Sequence, residues 1–252
     1  MLNNVIECAR EAGSIALQYF RQDGGIGVEN KLNDSDIVTV ADKASETCIK
    51  QYIDRYFPSH SILSEESGEK SGSANYRWIV DPIDGTTNFF TGLPFWAVSI
   101  GIEHEGCKEI GVVYAPALGE LFYAERGKGA YLNGRRIHVS SEDHMSRSVI
   151  STGFPVDKNI NPDNNMDNLE VILPKVRDIR RLGSAAVDMC YVAAGLMQGY
   201  WEMNLHEWDI NASTLILEEA GGYVTRFRED RGISLVCGNR AIHDQLLSLL
   251  KK

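Results

Sequence analysis

The chain has 252 residues, a formal net charge of −10, 43% hydrophobic residues and 24% charged residues. This composition is typical of a globular enzyme. The acidic balance argues against nucleic acid as a partner, although it leaves room for a local basic patch such as Arg180-Arg181. No apolar run approaches the length that spans a membrane, so no membrane association is predicted.

The cysteines are scattered and odd in number, with no Cys-x-x-Cys pair. They are Cys8, Cys48, Cys107, Cys190 and Cys237. This pattern predicts reduced, mostly buried thiols in a cytoplasmic protein, rather than a disulfide framework or a zinc site. Residues 1–20 alternate apolar and charged side chains as an amphipathic helix does, so no secretory leader is expected.

Apolar spacing predicts helices and strands along the whole chain. Helices are expected at about 2–20, 43–57, 185–198, 210–220 and 241–250. Strands are expected around 78–80, 95–103, 109–114, 120–124, 149–152, 200–203, 223–227 and 235–237. The glycine-rich stretch 125–134 is loop or hairpin, and it lacks the third glycine of a dinucleotide-binding loop. The Asn-, Asp- and Pro-rich stretch 157–167 is expected to be a mobile connection between two halves.

Two acidic segments come early in the chain. Asp42 precedes the amphipathic stretch 43–57, so it could be only a helix cap. Glu65-Glu66 follows the apolar Ser61-Ile62-Leu63. Adjacent glutamates repel, so a buried pair needs a cation, whereas an exposed pair is a solvated charge run. Neither segment decides between these interpretations by itself.

The most informative stretch reads WIVDPIDGTTNF from Trp78. Its apolar start predicts the end of a buried strand, where Pro82 is expected to stop the ladder. Asp81 and Asp84 suit a hard divalent cation, and the Gly85-Thr86-Thr87 turn offers free backbone N–H groups to a phosphate. Together they predict metal-assisted phosphoryl chemistry. An isolated Asp-x-x-Asp-Gly is also common in turns and helix N-caps, so both interpretations stay open for this stretch alone.

A fourth acid, Asp209, stands directly before a strong helix pattern. Residues 210–220 have apolar side chains at 3–4 spacing, and Gly221-Gly222 follows them. The pattern predicts Asp209 at the N-cap. As a plain cap it needs no further function.

These acidic segments, in this order and at this spacing, resemble the inositol monophosphatase family of lithium-sensitive, Mg²⁺-dependent sugar phosphatases. The resemblance rests on Ser64-Glu65-Glu66-Ser67, on the stretch from Asp81 to Phe89, and on Trp208-Asp209 with its Glu219-Ala220-Gly221-Gly222 ending. It covers nearly the whole chain from Asp36 onward. It implies an α/β chain of the α+β type, folded as a layered α-β-α-β-α sandwich. A single domain over 1–252 would have halves at about 1–145 and 146–252, with the site between them.

The resemblance implies a site for two or three Mg²⁺ ions. One ion would be held by Glu65, Asp81 and the carbonyl of Ile83. A second would lie among Asp81, Asp84 and Asp209, and a third, weaker ion would share Glu65. Two metals roughly 3.5–4 Å apart can hold an attacking water and a leaving oxygen in line.

The resemblance also implies a catalytic relay between Thr86 and Asp42. A threonine hydroxyl is a poor base alone, but when it is hydrogen-bonded to a carboxylate it can accept a proton from the attacking water. Glu65 could orient the same water. Without the family context, Thr86 is equally well explained as a helix-start residue that satisfies backbone groups.

Substrate contacts are expected from both halves. The residues implied by the resemblance are Gly85, Thr86, Gly183, Ser184, Ala185, Glu202 and Asp209. Glu202 matches the carboxylate that binds the ring hydroxyls of inositol, and a carboxylate can accept two hydroxyl hydrogen bonds. The alternative for Glu202 is a surface position on a strand, and His206 is expected to be structural rather than a ligand.

The predicted function is therefore an inositol-phosphate phosphatase. It would hydrolyse inositol 1-phosphate, a small phosphorylated polyol, to inositol and phosphate by metal-activated water, as a cytoplasmic homodimer inhibited by Li⁺. Thr87-Asn88 stands where nucleotide 3′-phosphatases of this superfamily tend to carry Lys-Glu. Two alternatives stay open. One is a broader sugar phosphatase that also uses fructose 1,6-bisphosphate. The other is an added regulatory binding role in transcription, because the Arg180-Arg181 region resembles that of bacterial relatives with such a role.

Overall fold

The computed structural model describes residues 1–22, 28–30 and 37–251. The helices are α1 (Leu2–Tyr19), α2 (Val40–Tyr56), α3 (Thr86–Thr91), α4 (Met166–Ile172), α5 (Ala185–Ala193), α6 (Glu207–Glu219) and α7 (Arg240–Leu249). The strands are β1 (Val28–Asn30), β2 (Ile37–Thr39), β3 (Ser61–Ser64), β4 (Gly68–Lys70), β5 (Tyr76–Asp84), β6 (Ala97–His104), β7 (Cys107–Ala115), β8 (Glu120–Glu125), β9 (Ala130–Leu132), β10 (Arg135–Ile137), β11 (Val149–Thr152), β12 (Asp178–Arg180), β13 (Gly199–Leu205), β14 (Tyr223–Arg228) and β15 (Ile233–Gly238). Asp36, where the family resemblance begins, lies outside the described residues.

Two large sheets organise the chain. The first has eight strands in the order β10-β9-β8-β7-β6-β5-β3-β4, antiparallel except for the β3–β5 pair. The second has five strands in the order β12-β11-β13-β15-β14, with β11 parallel to both of its neighbours. The predicted division at about residue 145 falls between β10 and β11. That the chain is one domain of two halves stays a prediction.

Helices and sheets alternate in five layers. Helices α1 and α2 cover the outer face of the eight-stranded sheet, α5 and α6 lie between the two sheets, and α7 with α4 covers the outer face of the five-stranded sheet. Almost every residue of α5 is buried, because this helix is covered on both sides, and its sequence is accordingly apolar nearly all round. Outer helix α1 buries one stripe only, which includes Val5, Ala9 and Ala16. The arrangement confirms the predicted layered α/β fold.

The structure corrects three predicted boundaries. Strand β5 continues through Pro82 to Asp84, because a register shift against β6 between Asp81 and Asp84 accommodates a residue without an N–H. Helix α5 ends at Ala193 instead of 198, since Gly195 follows in a left-handed conformation (φ +72°). Helix α6 begins at Glu207, so the prediction that Asp209 is its N-cap is wrong.

The stretch 157–167 is not a connection between the halves. It lies within the second half, after β11 and extending into the first two residues of α4, whereas residues 138–148 join the two sheets. The glycine-rich stretch 125–134 does form the predicted hairpin turn, between β8 and β9. Within the described ranges, no helix is long and apolar enough to cross a membrane.

Candidate active site

Three carboxylates, two of them buried and the third partly buried, meet where β5 bulges and α6 begins. Asp81 and Asp84 lie on the bulge, and Asp209 is the third residue of α6. One carboxylate oxygen of each lies within 4.8 Å of the others. Asp81 is only 2% exposed and Asp84 only 7%. Three like charges this close and this poorly hydrated are unstable together unless a cation or protons neutralise them.

The pKa values of Asp81 and Asp84 are raised by this burial and repulsion. Burial, and then the charge of Asp209, raise the pKa of Asp84 to about 8, although the Ser184 hydroxyl and the Ala186 N–H donate hydrogen bonds that lower it. Burial and repulsion from Glu65, Asp84 and Asp209 raise the pKa of Asp81 well above its ordinary value. A bound divalent cation would reverse these shifts by favouring the ionised forms.

The N-terminal ends of α3 and α5 lie close to these acids. Gly85 precedes α3 with φ +92°, and a Cβ there would lie 2.9 Å from the Phe95 carbonyl oxygen, so only glycine fits. Asn88 donates from its amide to the carbonyls of Phe95 (2.6 Å) and Leu182 (2.7 Å). Asn88 therefore ties α3 to the segment that enters α5. This tie holds the Gly85 turn beside Ser184.

A cavity of 160 Å³, here called the acidic pocket, opens over the carboxylates. Its lining residues are Glu65, Asp81, Ile83, Asp84, Gly85, Thr86, Thr87, Val156, Arg181, Gly183 and Asp209. All five predicted metal ligands are on this wall. Two of its members were not predicted for the site, Val156 and Arg181. Arg181 had been noted only as part of a basic pair, and its place two residues before Gly183 was the available signal.

The predicted relay residues are in contact. The Thr86 hydroxyl lies 3.2 Å from Asp42 Oδ1 and 3.1 Å from the Ile83 carbonyl. Asp42 Oδ2 accepts hydrogen bonds from the Thr39 N–H and hydroxyl. Asp42 is the third residue of α2, where it forms a capping box with Thr39, and it is also the hydrogen-bond partner of Thr86. Burial raises its pKa to about 6, against the opposing hydrogen bonds from Thr39.

Asp209 likewise belongs both to the cluster of acids and to a helix capping box. Its carboxylate accepts a hydrogen bond from the His206 N–H (2.6 Å), so it completes a capping box in which His206 occupies the N-cap. An acid at the N-cap and an acid at the third helical residue give the same sequence pattern, which is an acid just ahead of an apolar helical repeat. For this reason the sequence placed the helix start too late.

A second cavity of 420 Å³, here called the polyol pocket, adjoins the first. Its lining residues are Glu65, Phe154, Pro155, Val156, Glu202, Met203, Asn204, Leu205, His206, Trp208 and Asp209. Glu65, Val156 and Asp209 belong to both pockets, which makes the two cavities neighbours across one shared edge. The predicted substrate residues Ser184 and Ala185 line neither pocket. Both are buried, and the Ser184 hydroxyl donates a hydrogen bond to Asp84.

The comparisons with known proteins identify the family of the chain. The family model described as the inositol monophosphatase family matches residues 1–252. The chain belongs to the inositol monophosphatase family. The "Inositol-1-monophosphatase" of Mesorhizobium japonicum is 39% identical over 100% of this chain and 96% of that protein. The "Nus factor SuhB" of Escherichia coli is 37% identical over 100% and 96%. A solved inositol monophosphatase from Anabaena superposes with a TM-score of 0.87, at 38% identity, covering 98% of this chain and 94% of that one.

In this inositol monophosphatase family member, Glu202 lies on β13 at the polyol pocket. The Tyr200 hydroxyl donates to its carboxylate. Gly153 makes room for it, since a Cβ at Gly153 would lie 2.0 Å from Glu202 Oε1. Burial raises the pKa of Glu202 to about 7, the Tyr200 hydrogen bond lowers it and the charge of Asp209 raises it. Beside it, the rings of His206 and Trp208 stack with centroids 4.8 Å apart.

Proposed function

We propose that this protein is a Mg²⁺-dependent phosphatase that hydrolyses inositol 1-phosphate to inositol and phosphate. The observation that carries the proposal is the junction of the two pockets. One is lined by carboxylates and Arg181, and suits metal ions and a phosphate group. The other presents Glu202 beside an apolar wall, and suits a ring that carries hydroxyls.

The residues of the acidic pocket fit a hard divalent cation. Glu65, Asp81, Asp84, Asp209 and the Ile83 carbonyl offer only oxygen donors, as Mg²⁺ prefers. The mutual repulsion of Asp81, Asp84 and Asp209 would be relieved by a bound cation. When bound, Mg²⁺ supplies neutralisation of phosphate charge and lowers the pKa of a coordinated water. We propose two or three such ions.

Thr86 and Asp42 would remove the proton of the attacking water. The Thr86 hydroxyl lies at hydrogen-bond distance from Asp42 Oδ1, so it can accept a proton from water as it donates its own to the carboxylate. Thr39 holds the other carboxylate oxygen, which keeps Oδ1 directed at Thr86. The Gly85 turn and Arg181 would contact the phosphate, and Glu65 would orient the water.

Glu202 and Asp209 would read the hydroxyls of the ring. An ionised carboxylate is an acceptor only, so it matches adjacent hydroxyl donors. Among the described residues that line the polyol pocket there is no Lys or Arg. A second phosphate would therefore meet no lysine or arginine there, which favours a monophosphate over fructose 1,6-bisphosphate.

A phosphate-release panel tests this proposal. Purified enzyme with Mg²⁺ is given inositol 1-phosphate, fructose 1,6-bisphosphate, adenosine 3′,5′-bisphosphate and histidinol phosphate at matched concentrations. We expect the highest kcat/KM with inositol 1-phosphate. A higher value with fructose 1,6-bisphosphate would contradict the substrate assignment, and it would move the protein toward the relative named "Fructose-1,6-bisphosphatase/inositol-1-monophosphatase" in Aquifex aeolicus, 36% identical over 100% of this chain and 97% of that protein.

The remaining expectations are a homodimer in the cytoplasm that is inhibited by Li⁺. Light scattering should give a mass of about twice the 28.0 kDa chain. Millimolar Li⁺ should slow steady-state phosphate release. A monomeric mass or indifference to Li⁺ would remove the corresponding expectation without affecting the substrate assignment.

A second role, regulatory binding in transcription, is suggested by relatives that carry the name "Nus factor SuhB". Asp84→Asn separates the two roles, because it removes a proposed metal ligand and leaves the surface unchanged. A binding role that persists in Asp84→Asn would be independent of catalysis. A role that disappears with activity would be catalytic.

A further inference from the structure

One wall of the polyol pocket is a loop, residues 153–165, between β11 and α4. We call it the wall loop. Phe154, Pro155 and Val156 line the polyol pocket, and Val156 also lines the acidic pocket. The position of this loop therefore decides the width of the cavity in which a ring would lie.

The two ends of the wall loop are fastened together by Asn165. Its amide donates to the Thr152 hydroxyl (3.0 Å) and the Gly153 carbonyl (2.7 Å). Its amide oxygen accepts a hydrogen bond from Trp201 Nε1 (2.8 Å). Asn165 is only 3% exposed, so these bonds are shielded from water. The ends are thus set by buried hydrogen bonds, and the middle of the loop needs a different support.

That support is a cluster of ion pairs whose members line neither pocket. Arg228 binds both carboxylate oxygens of Asp163, each at 2.8 Å. Arg231 pairs with Asp157 and also donates to the Asp163 carbonyl. The two arginine side chains are 13% and 18% exposed, and their partners Asp163 and Asp157 are 39% and 28% exposed, so the pairs lie at the surface with the arginines mostly covered. The Arg228 guanidinium holds the pKa of Asp163 below its usual range.

The connection between β14 and β15 follows Arg228 and contains Arg231. It also packs against a residue that lines the polyol pocket. A Cβ on Gly232 would lie 2.7 Å from Asn204 Oδ1, and Asn204 lines the polyol pocket. Neither Arg228 nor Arg231 lines either pocket. Any effect of the arginines on a substrate must therefore pass through the loop or through Asn204.

We propose that Arg228 and Arg231 are positioning residues for substrate recognition. They hold the wall loop at the distance from Glu202 that a ring substrate requires. The inference rests on the proposed function, since it places the polyol beside this loop. The relay and the acidic pocket carboxylates belong to other elements, so loss of the ion pairs should weaken binding of the ring and leave the chemical step intact.

The test is Arg228→Gln with Arg228→Lys as a milder variant and Arg147→Gln as a control. Arg147 pairs with Glu142 (2.9 Å) and lines neither pocket. For inositol 1-phosphate, Arg228→Gln should raise KM roughly tenfold with kcat within about twofold, less than the 100-fold that misplacing a reacting group costs. For p-nitrophenyl phosphate, which has no ring hydroxyls, KM should change by less than about twofold, since it makes no contact that the loop must orient. Arg147→Gln should change neither.

A second measurement tests the loop without a substrate. Hydrogen–deuterium exchange of the backbone amides of residues 153–165 should be faster in Arg228→Gln than in wild type, and unchanged in Arg147→Gln. If Arg228→Gln does not fold, Arg228→Lys and Asp157→Asn give the same comparison. Unchanged exchange, or equal changes in KM for both substrates, would overturn the proposal.

Failure of the proposed function would look different. If wild type does not hydrolyse inositol 1-phosphate, the substrate assignment falls. The positioning role is then judged by the exchange rates and by KM for whichever panel substrate is turned over fastest.

Discussion

The acidic pocket and the polyol pocket share an edge but are built in different ways. In the acidic pocket Asp81 and Asp84 are buried. Backbone or hydroxyl groups donate hydrogen bonds to Asp81, Asp84 and Asp209, as Ser184 and Ala186 do to Asp84. The polyol pocket is bounded by a loop fastened with ion pairs and by rim residues such as His206, whose side chain is 61% exposed. If the proposed function holds, the chemistry depends on hydrogen-bonded carboxylates in the sheet and helix framework, whereas recognition depends on a loop and rim that can change separately. Changes in the first pocket should affect all phosphate substrates alike, and changes in the second should separate them.

Metal removal should have the largest effect. Excess chelator should lower kcat by more than about 10³-fold for every substrate, because a catalytic metal supplies several kcal/mol of charge stabilisation. Added Mg²⁺ should restore activity in wild type and not in Asp84→Asn. Phosphate release is the measurement. Undiminished turnover in excess chelator would contradict the metal mechanism.

Loss of the relay should come next. Thr86→Ala should leave substrate binding largely intact and lower kcat by a factor on the order of 10²–10⁴, the usual contribution of a general base. Asp42→Asn should give a similar loss, and the double variant should be little worse than either single one. Steady-state kinetics on the three variants checks this. Losses that multiply in full would mean that the two residues act independently.

Substitution of Glu202 should change KM for a substrate with ring hydroxyls and leave KM for an aryl phosphate nearly unchanged. Glu202→Ala should raise KM for inositol 1-phosphate by roughly 10- to 100-fold, since hydrogen bonds to a charged group contribute about 1.5–3 kcal/mol. For p-nitrophenyl phosphate, KM should change little. Glu202→Gln, which keeps one acceptor, should lie between the two. If both substrates lose affinity equally, Glu202 is not a specificity residue.

The pH dependence should report the relay and not the substrate. The pKa of Asp42 is raised to about 6, so the carboxylate can accept a proton above that pH and is already protonated below it. We therefore expect kcat, which is insensitive to the ionisation of the free substrate, to fall about tenfold per pH unit below 6, with the same inflection for both substrates. Rate–pH profiles of wild type and Asp42→Asn make the comparison. An inflection near 6 that survives in Asp42→Asn would belong to another group.

Arg181 should show the smallest effect. Arg181→Ala should raise KM for both substrates about fivefold, because an exposed charge is screened by water. The neighbouring Arg180 is the matched control, since its guanidinium pairs with Asp178 (2.6 Å) and does not line the acidic pocket. Equal KM values for Arg180→Ala and Arg181→Ala would show that Arg181 has no phosphate role.

Much of the acidic pocket could be predicted because its parts are close together in sequence. Asp81, Ile83, Asp84, Gly85 and Thr86 come from one stretch of six residues, so a local pattern already describes five of the eleven lining residues. The amphipathic period of α1 and the apolar runs of β6 and β7 likewise predicted elements that the structure confirms. The polyol pocket was predicted less completely, because its wall loop consists of residues whose roles depend on partners about 65 to 75 positions away, such as Arg228 and Arg231.

The family, the set of acids and the longest helices and strands could be read from the sequence alone, since motif order and periodicity are properties of the chain. Shorter elements such as β4, β9, β10 and β12 were not predicted. Only the tertiary structure decided where α2 and α6 begin, because Asp42 and Asp209 could each be a cap or a first-turn acid until their hydrogen bonds were known. It also decided that Arg181 faces the carboxylates and that two arginines support the wall loop. These placements depend on which distant elements pack together, and packing selects one of several arrangements that local preferences leave open.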